Sequence, residues 1–145
     1  GECHVHAGIR PDDVNQMMNT HPEAEFLVHP ECGCVSKYLY HMAEEDIPTN
    51  NASVLSTEGM IRHARQSSSE KFIIATETGI IHRLQKENPS KTFIPMKDDA
   101  ICKYMKMINS EKVLHSLQNM VYEVKVPEDT AEKAKTAIER MIEIV

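Results

Sequence analysis

The sequence predicts an α/β domain in which a short parallel sheet is covered by helices on both faces. Short apolar runs with the length of buried strands alternate with segments of helical length, and this alternation occurs four times between residues 24 and 97. Strands that are connected through helices pair in parallel, and parallel sheets are found almost only where helices cover both faces. We therefore expect a three-layer α/β/α arrangement.

Length and charge narrow the class of protein. The 145 residues suffice for one ordinary domain with its own core. The 16 Lys and Arg residues against 22 Asp and Glu residues give a net charge of −6, which argues against nucleic acid or an anionic membrane as the main partner. No apolar run approaches the roughly 20 residues of a membrane-spanning helix, and no signal peptide is recognised. Because the chain begins without methionine on a Cys and His cluster, we expect the downstream part of a longer protein. Nine methionines and the lack of an export signal favour a cytoplasmic location, in a reducing cytosol.

The first predicted strand lies between two predicted helices in the sequence. A helix is predicted from Pro11 to about Thr20, because proline favours the first helical position and two acids follow it. Residues Ala24 to Val28 form the first strand, and His29-Pro30-Glu31 ends it, since proline has no N–H for a central ladder. A second helix is predicted over 33–42, and the polar stretch 44–51 is predicted to be a loop.

Three more strands and two intervening helices complete the predicted sheet. The strands are 53–55, 71–75 and 92–94, and the helices run over 57–66 and 79–87.

The last part of the chain is predicted to be mainly helical. One helix begins at Ser110, and the alternating segment 121–126 is either an exposed strand or an extended link. A helix over 127–145 carries one apolar stripe, made of Ala131, Ala134, Ile138, Met141 and Val145. We therefore divide the chain into the end of a preceding domain (1–10), the α/β domain (11–109) and a helical extension (110–145).

Polar residues follow each of the four predicted strands and should lie along one rim, where parallel sheets bind ligands. They are His29 and Glu31, Ser56 and Thr57, Thr76 and Glu77, and Lys97. Helix capping explains Ser56 or Thr57 and residues 76–78 as well as a site does, and stabilisation of a helix N-terminus is the better explanation of Glu77. The segment His29-Pro30-Glu31 is harder to explain by capping and is the first candidate site.

The four cysteines, Cys3, Cys32, Cys34 and Cys102, fit neither a dense disulfide framework nor a zinc ribbon. Three thiolates from distant parts of a chain can hold a [4Fe–4S] cluster with one iron open as a Lewis acid. The spacing is equally compatible with a zinc site of Cys and His, or with small buried side chains and no metal.

Several sequence blocks resemble, in order, the C-terminal part of the quinolinate synthase family: GECHVHAGI, LVHPEC, LSTEGMIRHA, FIIATETGIIHRLQKENPSKTFIP and DDAICKYMKMINSEKVLHSL. The resemblance implies a transferase of NAD biosynthesis that condenses iminosuccinate (iminoaspartate) with dihydroxyacetone phosphate to quinolinate, phosphate and water. It also implies L-aspartate oxidase as the upstream enzyme. The implied fold has three similar α/β domains around a pseudo-threefold axis, of which this chain holds one.

The same resemblance implies a [4Fe–4S] cluster on three cysteines, namely Cys3, Cys102 and one upstream of Gly1. Implied substrate contacts are His29, Pro30, Glu31 and Thr57, with Ser56 the near alternative to Thr57. Glu31 is the candidate general base or acid, and His29 the candidate donor to a substrate carboxylate. With two of three ligands and one of three domains, the chain alone should be inactive.

Two cysteines depart from the family pattern. Many relatives continue the His-Pro-Glu-Cys block with prolines and a short helix, whereas here Gly33-Cys34 leads into a longer segment. Cys32 and Cys34 are therefore either bystanders or an extra redox pair.

Two other functions are compatible with the sequence. A phosphate- or nucleotide-binding regulatory domain could use the same sheet edge, although the sequence has no Gly-rich phosphate loop. A zinc-stabilised interaction module is the third hypothesis.

Overall fold

The structure is a computed structural model that describes residues 3–33, 35 and 51–144. The chain forms two compact units, Gly1–Lys103 and Tyr104–Val145. The predicted helix over 33–42 and the predicted loop over 44–51 fall almost wholly outside the described residues. The proposed division at residues 10 and 109 stays a prediction.

The first unit alternates helices and strands as the sequence predicted. Its described helices are α1 (His4–Ala7), α2 (Pro11–Thr20), α3 (Thr57–Gln66) and α4 (Ile80–Glu87). Its strands are β1 (Glu25–Val28), β2 (Ala52–Val54), β3 (Lys71–Ala75) and β4 (Thr92–Pro95). The predicted bounds of α2, α3 and β3 are confirmed, whereas α1 was not predicted.

The described strands form one parallel sheet in the order β2-β1-β3-β4. Phe26 of β1 pairs with Ala52 on one side and with Ile73 on the other, so β1 and β3 are the central strands. The chain passes outward from β1 to β2, crosses back to β3 and continues to β4. Pro95 lies at the end of the edge strand β4, where its missing N–H costs no central ladder bond.

Helices pack on both faces of the sheet, which confirms the three-layer prediction. On one face, Val14 of α2 packs with the inward side chains Phe26, Val28 and Ile73. The other face packs against α3 and α4 through one apolar cluster, made of Leu27, Met60, Ile61, Ala64, Phe72, Ile74, Leu84 and Phe93. Because both faces are buried, β1 and β3 read as continuous apolar runs.

The second unit contains a 3₁₀ turn (Met105–Met107) and the helices α5 (Ser110–Asn119) and α6 (Glu128–Ile142). Asn109 caps α5, since its side-chain oxygen accepts from the Lys112 backbone N–H at 2.9 Å. Residues 121–126 form an extended link and not a strand, with Tyr122 at a φ of 66°. In the described part of the chain, every helix is too short or too polar to cross a membrane.

Glu25 anchors the amino end of β1, and the candidate site lies at the opposite, carboxyl end of this strand. Its carboxylate accepts a hydrogen bond from Ser67 Oγ at 2.8 Å and pairs with His63 Nε2. Burial alone would raise the pKa of the Glu25 carboxyl, but the hydrogen bonds from Ser67 and His63 outweigh it, and the pKa is lowered. This carboxylate therefore contributes to stability in its charged form.

We predict that Glu25→Gln lowers the free energy of unfolding by about 1–3 kcal/mol at pH 7, since a charged acceptor loses its partners. A carboxyl with a lowered folded pKa stabilises the fold above its unfolded pKa of about 4.3, and this contribution is lost as pH falls through the folded value. The difference from the parent should therefore shrink at pH 3. Urea unfolding at both pH values measures it, with the exposed Glu70→Gln as control; an equal difference at both pH values would contradict the assignment.

Candidate functional site

The candidate site lies where the central strands end. Val28 pairs with Ala75, so the residues that follow, His29 and Thr76, leave the sheet side by side. The His29 backbone N–H donates to the Ala75 carbonyl at 3.3 Å, which fixes the exit from β1. Because the chain reverses its direction of travel across the sheet between β1 and β3, this is the crevice where open α/β sheets bind ligands.

Three polar side chains meet at this crevice. The rings of His6 and His29 stack with centroids 4.6 Å apart and planes at 6°. His6 Nδ1 lies 3.5 Å from Glu31 Oε2. His6 is buried, His29 is half-buried and Glu31 is exposed. Their ligand atoms all lie within 4.8 Å of one another, close enough to bind one cation or one polar group of a substrate.

His29 has a defined hydrogen-bonding role. The backbone N–H of Glu31 donates to His29 Nδ1 at 3.3 Å, across the turn made by Pro30. Nδ1 is therefore an acceptor, and the neutral ring carries its proton on Nε2. His29 can thus donate from Nε2 to an acceptor oxygen of a ligand.

His6 is held between two groups. Thr76 Oγ1 lies 2.9 Å from His6 Nε2, and both side chains are buried. His6 Nδ1 is buried without a hydrogen-bond partner among the described residues, because Glu31 at 3.5 Å is too distant for a good bond. Since the Glu31 carboxylate can only accept, it favours a proton on Nδ1, and Nε2 then accepts from the Thr76 hydroxyl. An unsatisfied donor thus lies beside Glu31.

The protonation of His6 follows from its surroundings. Burial lowers the pKa of His6, the neighbouring His29 lowers it further, and Glu31 acts in the opposite direction. His6 is therefore largely neutral at pH 7. His6 was not predicted to be a site residue. The available signal was its spacing of three residues from Cys3, at the start of the chain.

Ser56 and Thr57 have different roles after β2. Ser56 Oγ accepts from the Gly59 backbone N–H at 3.1 Å and caps α3, so the capping explanation holds for Ser56. Thr57 is the first residue of α3, and its side chain is exposed. In the described part of the chain, Thr57 makes no hydrogen bond to His6, His29 or Glu31; it flanks their site from the neighbouring strand.

The cysteines divide into two kinds. Cys3 and Cys102, from opposite ends of the first unit, have free thiols and pack in one small cluster with Val5 and Ala100. Cys102 is buried and Cys3 is half-buried. Cys32 is disulfide-bonded and buried in the main core. Cys34 lies outside the described residues.

The turn after β3 connects these groups. Glu77 is buried; its Oε2 accepts from the Gly79 backbone N–H at 2.7 Å, and its Oε1 accepts from the Cys102 backbone N–H at 3.3 Å. The sequence predicted that Glu77 stabilises the N-terminus of α4, and this role explains the contact of Oε2 only. Lys97, also expected on the rim, donates to the Gly8 carbonyl at 3.1 Å and tethers the segment after α1.

The comparisons with known proteins agree on one family. The sequence model of the family described as "NadA: Quinolinate synthetase A protein" matches residues 1–143. Quinolinate synthase of Thermus thermophilus is 50% identical over 99% of this chain and 44% of the relative. The Pyrobaculum aerophilum enzyme is 48% identical, and that of Mycobacterium tuberculosis 41%, again over 99% of this chain and 46% and 41% of the relatives.

The chain spans less than half the length of these relatives, and the match covers nearly all of the chain. A match over residues 1–143 includes both units and every residue of the candidate site. The chain belongs to the quinolinate synthase family.

Proposed function

We propose that this chain supplies the C-terminal part of an active quinolinate synthase in NAD biosynthesis. The complete enzyme would condense iminosuccinate with dihydroxyacetone phosphate to give quinolinate, phosphate and water. The packing together of two free cysteines, Cys3 and Cys102, is the observation that carries this proposal. His6 lies on the helix that follows Cys3, and Glu77 binds the Cys102 backbone, so the cysteines adjoin the His and Glu site.

Cys3 and Cys102 fit the role of cluster ligands. Both are free thiols on adjoining segments, and soft thiolates are the ligands that iron–sulfur clusters use. Cys32 does not fit, because its sulfur is already bonded. A third thiolate would come from a part of the enzyme upstream of this chain. A bound [4Fe–4S] cluster with an open iron would supply Lewis acidity toward oxygen atoms of the substrate.

The remaining site residues bind substrate and move protons. Glu31 is exposed at the crevice, so its carboxylate can reach a bound substrate as general base or acid. His29 would donate from Nε2 to a substrate carboxylate, and the exposed Thr57 hydroxyl would contact substrate from the end of β2. His6 would present its Nδ1 proton beside Glu31 and so orient that carboxylate.

The broader assembly is also part of the proposal. Three α/β domains around a pseudo-threefold axis would enclose the site, and this chain would contribute one of them. The substrates are small molecules, and L-aspartate oxidase would supply the iminosuccinate in the cytoplasm. Because the upstream ligand is needed, this chain alone would be inactive.

Metal analysis distinguishes this proposal from its alternatives. Four irons with sulfide in the full-length enzyme, purified without oxygen, would support it. One zinc per chain would favour a zinc-stabilised module, and the absence of bound metal would favour a phosphate-binding regulatory domain.

We predict that Cys3→Ser and Cys102→Ser in the full-length enzyme each abolish cluster absorbance and quinolinate formation together. Each change removes one of only three protein ligands. Visible absorbance and iron and sulfide analysis measure the cluster. A Cys102→Ser enzyme with a full cluster and normal turnover would exclude Cys102 as a ligand.

Cys32→Ala provides the matched control, because Cys32 is also buried in the first unit. We predict unchanged iron and sulfide content, since Cys32 is disulfide-bonded and belongs to a different core cluster from Cys3 and Cys102. The same analysis measures it. Loss of iron in a variant that still folds would require a different set of ligands.

We predict that Glu31→Gln lowers turnover by about 10²–10⁴-fold, the usual contribution of general acid–base catalysis, with the cluster intact. The amide keeps the shape and hydrogen bonding of the side chain but does not titrate. Substrate binding should therefore weaken much less than turnover. Single-turnover quinolinate formation at known cluster content is the measurement, and turnover within a few-fold of the parent would leave Glu31 a binding role only.

A further inference from the structure

The loop that carries Cys102 is held by the turn after β3. The Thr78 backbone N–H donates to the Ala100 carbonyl at 3.0 Å. The Cys102 backbone N–H donates to Glu77 Oε1 at 3.3 Å. Two consecutive turn residues therefore bind the loop on both sides of Ile101. This double attachment fixes the backbone from which the Cys102 thiol projects.

Helix capping alone does not explain Glu77. Glu77 lies two residues before Gly79, the N-cap residue of α4, and binds its N–H with one oxygen only. Glu77 is 9% exposed, and burial of a carboxylate is costly unless donors satisfy it. The second oxygen is directed to the Cys102 amide and not to α4. The contact with Gly79 therefore accounts for one oxygen of the buried carboxylate, and the contact with the Cys102 loop accounts for the other.

The same turn also holds the segment that carries Cys3. Thr76 Oγ1 is hydrogen-bonded to His6 on α1, and Cys3 is the residue that immediately precedes α1. The Ala7 backbone N–H donates to the Cys3 carbonyl at 2.9 Å, so the position of α1 sets the position of Cys3. Residues 76–78 therefore connect two cysteine segments that are far apart in the sequence of the unit.

We propose that Glu77 is a positioning residue for the cluster: its buried carboxylate fixes the Cys102 backbone so that Cys102 stays packed with Cys3. This inference rests on the proposed function, because it takes Cys102 as a ligand. Residues that orient metal ligands typically contribute about 10- to 100-fold to metal affinity. We expect an effect of that size on the cluster from the loss of the Glu77 contact.

Two substitutions separate positioning from capping. Glu77→Asp keeps the charge and can still accept from the Gly79 N–H two residues on, as Asp does in an Asx turn, but its shorter side chain does not reach the Cys102 amide. Glu77→Gln keeps the length and one oxygen acceptor. The Asp variant should therefore impair the cluster more than the Gln variant. Asn109→Ala, which removes the cap of α5 in the second unit, controls for the loss of a helix cap.

The experiment uses the full-length enzyme with its cluster assembled, and it follows the loss of visible absorbance in excess chelator without oxygen. We expect Glu77→Asp to lose its cluster about 10-fold or more faster than the parent, with thermal unfolding of the apo-protein little changed. Glu77→Gln should lose its cluster at a rate within a few-fold of the parent, and Asn109→Ala should lose it at the parental rate.

Three results would overturn the inference. Parental cluster loss in Glu77→Asp would show that the contact with the Cys102 amide is dispensable. Equal impairment by Asp and Gln would show that side-chain reach is not the cause. If Glu77→Asp fails to fold while Glu77→Gln folds with a weakened cluster, charge and not reach is responsible. A parental cluster in Cys102→Ser would instead overturn the proposed function itself.

Discussion

The pairing of β1 with β3 is the constraint on which the site depends. Val28 and Ala75 are the last residues of these strands and are direct partners in the sheet. The two segments that leave the sheet here, one with His29 and one with Thr76, must therefore run side by side. A shift of one residue in this register would move every inward side chain to the opposite face. Packing on both faces of the sheet fixes this register, and the register in turn fixes the relative positions of His29 and Thr76.

The polar contacts of the site start from the residues that follow the central strands. Thr76 and Glu77 are buried and belong to the sheet side, whereas His6 and Cys102 lie on segments with little regular structure of their own. Helix α1 has only four residues, which is too short to be stable from its own hydrogen bonds. Its position is set by the hydrogen bond between His6 and Thr76 and by the packing of Val5. The segments that carry His6 and Cys102 are therefore held in place by their contacts with the ends of the sheet strands.

The sequence predicted the layers and the rim because both follow from local patterns. Apolar runs revealed the strands, and the abrupt polar end at His29 revealed the edge. The role of His6 was not predicted, because its partner Thr76 is 70 positions away and a four-residue helix leaves no periodic signal. The second contact of Glu77 was missed for the same reason, since a cap and a tertiary hydrogen bond look alike in sequence. Family resemblance, not spacing, selected Cys3 and Cys102.

The hydrogen bonds that hold the Cys102 loop join backbone amides to the Ala100 carbonyl and to the Glu77 carboxylate, and neither bond uses the thiol. The proposed cluster site would differ from a zinc finger, whose chain folds only when the metal binds. Here the strands, the turn and the loop are joined by contacts that need no metal–sulfur bond. If the proposed cluster is bound, oxidative damage that removed its iron would leave these contacts in place. Such an enzyme could be repaired by reinsertion of a cluster, without resynthesis of the polypeptide.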